Sequence, residues 1–209
     1  HDDPQARLVQ RPDRALGDRP GWELQERRER LLEWRGQLEM ALRATSPPRV
    51  EPVDVFPALA DTIQRYGVPA ESLFAVLDGI GMDLEASVYE TFSDLKRYCD
   101  RVAGAVGVCC IHVWGFHDEA AIERAIDCGT AFQLTNILRD LAEDIQMQRV
   151  YLPREDLRRF GYTVEDLRGH RINEAFVELM RFQVERARTF YESAEVLFDD
   201  LEPRGRPIL

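Results

Sequence analysis

The chain has 209 residues, with 38 Asp and Glu against 27 Lys and Arg, and a formal net charge of −11. That balance argues against a nucleic-acid polyanion as the main partner, while 44% hydrophobic residues is enough to build the core of one domain. The longest apolar run, 102–114, is broken by Gly104, Gly107 and His112 and is too short to cross a bilayer.

Residues 1–21 are polar and carry Pro4, Pro12, Pro20 and Gly21, which predicts an irregular arm. From Glu23 to Ala44 the periodicity predicts an amphipathic helix with Leu31, Leu32, Trp34, Leu38 and Leu42 toward the core. Pro47, Pro48, Pro52 and Pro57 mark a connection. A short helix over 58–66 is ended by Gly67, with Pro69 just beyond. Helices are then expected over 71–84, 92–114 and 119 to about 148, where Pro153 ends the run. Short helices follow over 155–160, closed by Gly161, and 164–168, capped by Thr163. A long helix runs from Asn173 to about Asp200, and the tail from Pro203 is irregular. No strand, repeat or low-complexity segment is evident, so the expected fold is all-α, a single domain over 1–209.

Cys99, Cys109, Cys110 and Cys128 form no CxxC pair and have no His at a zinc spacing. They read as free thiols of a reducing compartment. His112, His117 and His170 are scattered, and no Ser-His-Asp or Cys-His set is visible.

The chemistry concentrates between Gly129 and Pro153. Gln133, Asn136, Asp140 and Asp144 follow at steps of three, four and four, which places them on one stripe of a helix turning about 100° per residue. Leu134, Leu138, Leu141 and Ile145 form a flanking apolar stripe. Asp140 and Asp144, one turn apart, repel each other and call for a cation. Hard oxygen ligands with room for water suit Mg²⁺, with Mn²⁺ as a substitute. Asn136 and Gln133 extend the stripe as neutral ligands or donors, and the fork of Arg139 reaches a phosphate at its rim. A bare DxxxD is more often a solvated acidic face; the two amides and the apolar stripe weigh against that reading here.

Two further segments fit. Gly104 and Gly107 lie inside a helix, where each costs about 1 kcal/mol relative to Ala, so something approaches closely: another helix, or a ligand chain. Tyr98 and Val102 lie one turn apart on the same side. Asp83 stands among Leu77, Ile80 and Leu84 and needs a partner, either a buried Arg or a metal or phosphate network.

These residues also carry a resemblance. The run from Ala131 to Asp144, followed by Arg149-Val-Tyr-Leu-Pro153, resembles the second aspartate-rich signature of the squalene and phytoene synthases, the head-to-head prenyl transferases. Tyr98-Cys99 with Val102-Ala103-Gly104 and Val106-Gly107 is similar to that family's central helix, and Asp78-Gly79 through Met82-Asp83-Leu84 and Tyr89 to Phe92 is similar to the segment before it. The likeness runs from about Ala58 to Phe190.

The resemblance implies an isoprenoid-synthase helical bundle around a central cavity. It implies condensation of two farnesyl or geranylgeranyl diphosphates, through a cyclopropyl diphosphate, to squalene, dehydrosqualene or phytoene. NADPH is implied only if the product is squalene. By motif, Asp140, Asp144 and Asn136 would hold Mg²⁺. Gln133, Arg139, Asp83, Val102, Gly107, Arg149 and Tyr151 would bind substrate, and Tyr98 would stand beside the reacting carbons, its ring shielding a cation.

There are departures. The family's first aspartate-rich motif is not found: Asp2-Asp3 is followed by Ala6 and Arg7, and Asp54 to Asp61 has the wrong spacing. The chain also begins at His1, and the expectation is a bundle seen without its N-terminal helices. Asp100 stands where the family often has an aromatic residue or His. Two other functions stay open: a chain-elongating or cyclising synthase of the same fold, and a non-catalytic helical relative acting as a partner subunit. A hydrocarbon product must leave into lipid. That suggests a cytoplasmic protein touching the inner membrane face peripherally, although no basic amphipathic anchor is evident.

Overall fold

The computed structural model describes residues 23–43, 55–85 and 88–206. The predicted arm over 1–21, Pro47, Pro48, Pro52, and the aspartates Asp2, Asp3 and Asp54 lie outside the described residues.

Two helices, Leu24–Arg43 (α1) and Val55–Tyr66 (α2), pack with Ala70–Leu84 (α3). Helix α2 starts three residues earlier than expected because Pro57 sits in its first turn, where no amide partner is needed. Leu38, Phe56 and Leu77 are the buried centre of this layer, with Leu31, Trp34 and Leu42 against them. Leu32 faces solvent, 68% exposed, and not the core as expected.

The helix expected over 92–114 is three segments. Phe92–Cys99 (α4) opens on a capping box: the Thr91 side chain accepts from the Asp94 amide, and Asp94 accepts from the Thr91 amide. Asp100–Gly104 is a π-helical turn, with the Ala105 amide donating to the Asp100 carbonyl. Ala105–Trp114 (α5) follows. The long predicted helix over 119–148 is also divided, into Ala120–Arg139 (α6) and Leu141–Gln146 (α7), with Asp140 between them at φ −97°, ψ 12°. Three short segments remain: Arg154–Arg159 (α8), Val164–Arg168 (α9), which carries the predicted Thr163 cap, and Leu197–Asp200 (α11). Glu174–Ala194 (α10) is the long helix between the last two, capped by the Asn173 side chain on the Phe176 amide. Among the described residues there is no strand, only an isolated bridge between Phe116 and Leu201. No helix among them is long and apolar enough to cross a membrane.

Helix α6 is central, packed by α10, α5, α4 and the π turn. Its approach to the π turn is backbone on backbone. A side chain at Gly129 would meet the Ala103 carbonyl at 2.5 Å and the Gly104 nitrogen at 2.6 Å. Gly107 likewise admits the Ala125 carbonyl, 2.5 Å from where its Cβ would stand. Of the two readings of Gly104 and Gly107, the structure takes helix packing: the space beside Gly107 belongs to α6 and not to a ligand chain. Val102 packs beside the same layer, its Cγ1 filling the space a side chain at Gly79 of α3 would need. Lys96 and Thr130 then tie down Asp100. The lysine Nζ lies 2.8 and 2.9 Å from the two carboxylate oxygens, and the buried threonine hydroxyl donates to one of them at 3.0 Å. The aspartate that departs from the family pattern is thus the fastening of the π turn to α4 and α6.

On the other side of the core, α8 is anchored to α10 by a buried polar cluster. Asp156 accepts from Gln183 Nε2 at 2.8 Å and from both Arg186 guanidinium nitrogens, at 2.5 and 3.2 Å. The Arg186 guanidinium stacks over Phe92 at 4.0 Å and Phe182 at 4.6 Å. All of its neighbours are thereby matched, which a buried charge requires.

The cysteines are free. Burial pushes Cys99 up to about 12 and Cys109 up to about 11, so both stay protonated thiols.

Gly129→Ala is expected to destabilise the protein by about 1–3 kcal/mol, because backbone and not a flexible side chain occupies the space. Gly36→Ala, in α1 with nothing within 4 Å, should instead stabilise it by roughly 0.5–1 kcal/mol. Urea midpoints of the two variants against the parent chain check both signs.

Candidate active site

Asp83 lies in the last turn of α3 and is the meeting point of three chain segments. Its Oδ2 accepts from the Tyr98 hydroxyl of α4 and its Oδ1 from the Tyr151 hydroxyl, each at 2.9 Å. The sequence asked for an arginine, a metal or a phosphate as the partner of Asp83; two phenols are among its partners. Tyr98 and Tyr151 stack at 5.4 Å between centroids, and Tyr89 closes the cluster at 5.6 Å from Tyr98 and 5.9 Å from Tyr151. All three rings are buried. Burial, joined by the Asp83 charge, raises the pKa of both Tyr98 and Tyr151 far above the ordinary phenol value. Both hydroxyls are therefore fixed as donors at any working pH.

Tyr151 belongs to the segment that follows α7. That helix ends with the Arg149 amide donating to the Asp144 carbonyl and the Gln148 amide to Ile145, and Gln148 takes the left-handed conformation at φ 61°. This is a Schellman close, usually given to glycine. It turns the chain so that Arg149 and Tyr151 return beside Asp83.

The polar stripe lies alongside. Gln133 and Asn136 are half-buried on α6, and among the described residues neither amide has a hydrogen-bond partner. Asp140 and Asp144 are no longer on one regular helix, yet the Asp140 amide donates to Asn136 and the Asp144 amide to Asp140, both at 2.9 Å. The i to i+4 register thus survives the break, and the four residues still follow one another along one side. Leu134 is buried in the main core, with Leu138, Leu141 and Ile145 packed against it, as the flanking stripe predicted.

Arg139 is placed differently from the expectation. Instead of standing free at the rim for a phosphate, it forks onto Asp140, Nε to Oδ1 at 2.7 Å and an Nη to Oδ2 at 2.5 Å. Neighbouring residues on a regular helix do not face each other; the non-helical backbone of Asp140 permits it here. The pair is largely exposed, and its net worth is small.

Asp144 is half-buried, and its pKa is pushed up from 3.8 to about 6. Burial is the main cause. Arg149 opposes it, while Asp140, Asp83 and Glu143 add to it. The site therefore gathers carboxylates that repel one another around Asp144. Among the described residues no group of three or more Asp, Glu, His or Cys side chains is already arranged as a metal cage. The donor set nonetheless fits a hard divalent cation: carboxylate oxygens short of positive charge, and two amides with open valence.

A cavity of about 100 Å³ opens next to Asp83 and Tyr151, lined also by Arg149, Arg154, Arg168 and Val164. Arg154 and Arg168 carried no sequence signal as lining residues, because they come from α8 and α9, outside the stripe.

An all-helical core, a polar stripe ending in two aspartates, and a tyrosine-held carboxylate beside it define an isoprenoid-synthase type of protein. Residues 12–209 match the squalene/phytoene synthase family, and the chain belongs to it. It is 42% identical over 188 residues to a phytoene synthase of Arthrospira platensis, covering 84% of this chain and 59% of that one. Its fold is similar to a squalene synthase from Alicyclobacillus acidocaldarius, at 26% identity and TM-score 0.80, covering 94% of this chain and 76% of the other. A dehydrosqualene synthase crystallised with a ligand is similar at 28% identity and TM-score 0.75, with 93% and 65% covered. The chain spans about half the length of the curated relatives it matches.

Asp144 gives a test by pH. Its folded pKa lies above its unfolded value, so its contribution to stability is fully present below about pH 4 and is lost as pH rises through about 6. Asp144→Asn should therefore be more stable than the parent at pH 7 in EDTA, by about 1 kcal/mol once solvent screening of a half-exposed group is allowed for. The gain should vanish near pH 4. Urea unfolding at the two pH values measures it.

Proposed function

We propose that the protein this chain belongs to joins two allylic prenyl diphosphates head to head, through a cyclopropyl diphosphate, in a Mg²⁺-dependent reaction. The observation that carries this reading is the pairing of a carboxylate-rich stripe with a dry, protonated tyrosine cluster at one edge of an apolar core. Its relatives named phytoene synthase, squalene synthase and dehydrosqualene synthase support it.

Asp140, Asp144 and Asn136 would hold the ion, with Gln133 next to them. A divalent cation bound there supplies neutralisation of the charge that develops on a departing diphosphate. Arg149 offers a bidentate donor to phosphate oxygens. Tyr98 and Tyr151 present ring faces that stabilise an allylic cation, and their burial keeps water from it. Asp83 accepts a hydrogen bond from each hydroxyl and burial keeps both phenols protonated, so neither is a phenolate that would trap the cation. After the cyclopropyl intermediate loses its diphosphate and rearranges, loss of a proton gives dehydrosqualene or phytoene, and hydride from NADPH gives squalene.

Full-length protein incubated separately with farnesyl and geranylgeranyl diphosphate, with and without Mg²⁺, should release diphosphate and a C30 or C40 hydrocarbon only with the metal. A cyclised or elongated product, or no diphosphate release, would overturn the reading. Asp140→Ala is expected to lower turnover by at least about a hundredfold, the scale of removing a group that stabilises transition-state charge. Its circular dichroism should match the parent, since Asp140 is partly exposed and outside the core.

A further inference from the structure

The π turn is a joint between the elements that carry the site. On one side it meets α3 at Gly79, where a side chain would stand 2.5 Å from Val102 Cγ1 and 3.0 Å from Arg101 Cβ. On the other it meets α6 at Gly129, which Ala103 and Gly104 approach as closely. Asp83 lies four residues beyond Gly79, and Gln133 lies four residues beyond Gly129. Each is therefore one helical turn from the point where its own helix touches the π turn. Tyr98 stands two residues before Asp100, where the turn begins. Arg101 adds a side-chain contact on the α3 side, donating to the sulfur of Met82, the neighbour of Asp83, at 3.2 Å.

A π turn is an uncommon backbone state, found mostly as single turns inside α-helices, so it needs a lock. Asp100 is tied at both ends. Its carbonyl accepts the Ala105 amide, the bond that defines the turn. Its carboxylate is shared between Lys96, at 2.8 and 2.9 Å, and the Thr130 hydroxyl, at 3.0 Å. Thr130 is fully buried, next to Gly129 on α6. The Lys96 ammonium also lies over the Phe190 ring of α10, at 5.8 Å. The lock thus reaches α4, α6 and α10. Its two hydrogen-bond partners belong neither to the tyrosine cluster nor to the polar stripe.

We infer that Asp100 is a positioning residue. Through the π turn its carboxylate sets where the Tyr98 hydroxyl meets Asp83, and where that pair lies relative to the Gln133–Asp144 stripe. An ordinary helix through Asp100 drops the extra residue of the turn and rotates Tyr98 relative to α5 by one residue's step, roughly 100°. The bearing of Asp100 on turnover rests on the prenyl-diphosphate reading; its bearing on the placement of Tyr98 does not.

Fluorine NMR of the full chain labelled with fluorotyrosine reads that placement, with the Tyr98 signal assigned by its loss in Tyr98→Phe. Thr130→Val, which keeps the side-chain shape and removes the hydroxyl, should shift the signal, as should Asp100→Leu. Thr130→Ser should return it to the parent position. Ser193→Ala removes a different tie to α6, from the Ser193 hydroxyl of α10 to Asp127 at 2.6 Å, and should leave the signal where it is. In Mg²⁺-dependent turnover of the full-length protein, Thr130→Val should lower kcat roughly tenfold or more with KM within about twofold of the parent, the pattern of a displaced group rather than a lost substrate contact. A Tyr98 signal unmoved in Thr130→Val, a signal moved as far by Ser193→Ala, or an unchanged kcat beside a moved signal overturns the inference. Thr130→Val decides alone where Asp100→Leu does not fold. A parent protein without synthase activity overturns the synthase reading, and the fluorine signal then decides the placement by itself.

Discussion

The backbone contact between α6 and the π turn is the constraint on which the site depends. Gly129 removes the one atom that would hold the two apart, and Ala103 and Gly104 move into its place. A π turn inserts one residue into the helical register, so everything before Asp100 is rotated relative to a regular helix through 92–114. Tyr98 lies just before that step. Its hydroxyl donates to Asp83. The Lys96–Asp100–Thr130 tie keeps the turn from relaxing into ordinary helix, because Asp100 must reach both a residue one turn back and a hydroxyl on another helix.

Asp83 converts that placement into a defined chemical surface. A lone carboxylate on the edge of an apolar core would shift toward its neutral form or draw in a cation. Two buried phenols are among the partners that satisfy it, one from α4 and one from the segment after α7. The arrangement works in both directions. The phenols stabilise the carboxylate by hydrogen bonding, and the carboxylate keeps the phenols protonated. The result is a set of aromatic rings with no phenolate among the two that Asp83 holds.

Much of this was legible in the sequence, for reasons that also explain what was not. Helix positions followed from apolar periodicity, and the cap at Thr163 from residue type, because both are local signals. The stripe from Gln133 to Asp144 was legible because its spacing is that of the helix itself. The breaks at Asp100–Gly104 and Asp140 were invisible, since neither holds a proline, Gly104 reads equally as a packing glycine, and the apolar period runs through both. The partners of Asp83 are 15 and 68 residues away. The lock of Asp156 on Arg186 spans 30. No local pattern encodes such pairs. Gly104 and Gly107 were ambiguous in kind: a small residue serves a helix neighbour and a ligand equally well, and only the coordinates show the helix backbone beside them.

The break at Asp140 has a consequence for the carboxylates themselves. On one uninterrupted helix, Asp140 and Asp144 would be held at a spacing set by the helical pitch. With Asp140 off the helix, its side chain swings within reach of Arg139, its immediate neighbour. The exposed, weak character of that pair matters. An arginine bound tightly to Asp140 would compete with any cation, whereas one held by about a kilocalorie or less yields to it. Asp144 offers no such shelter: it is half-buried among Asp140, Asp83 and Glu143, with Arg149 opposing them. The two aspartates are thus unequal. Asp140 is kept soluble and available by a partner it can release, and Asp144 is kept short of positive charge. Under the metal-dependent reading proposed for this protein, that inequality would let one carboxylate draw a cation in while the other has an alternative partner when it leaves.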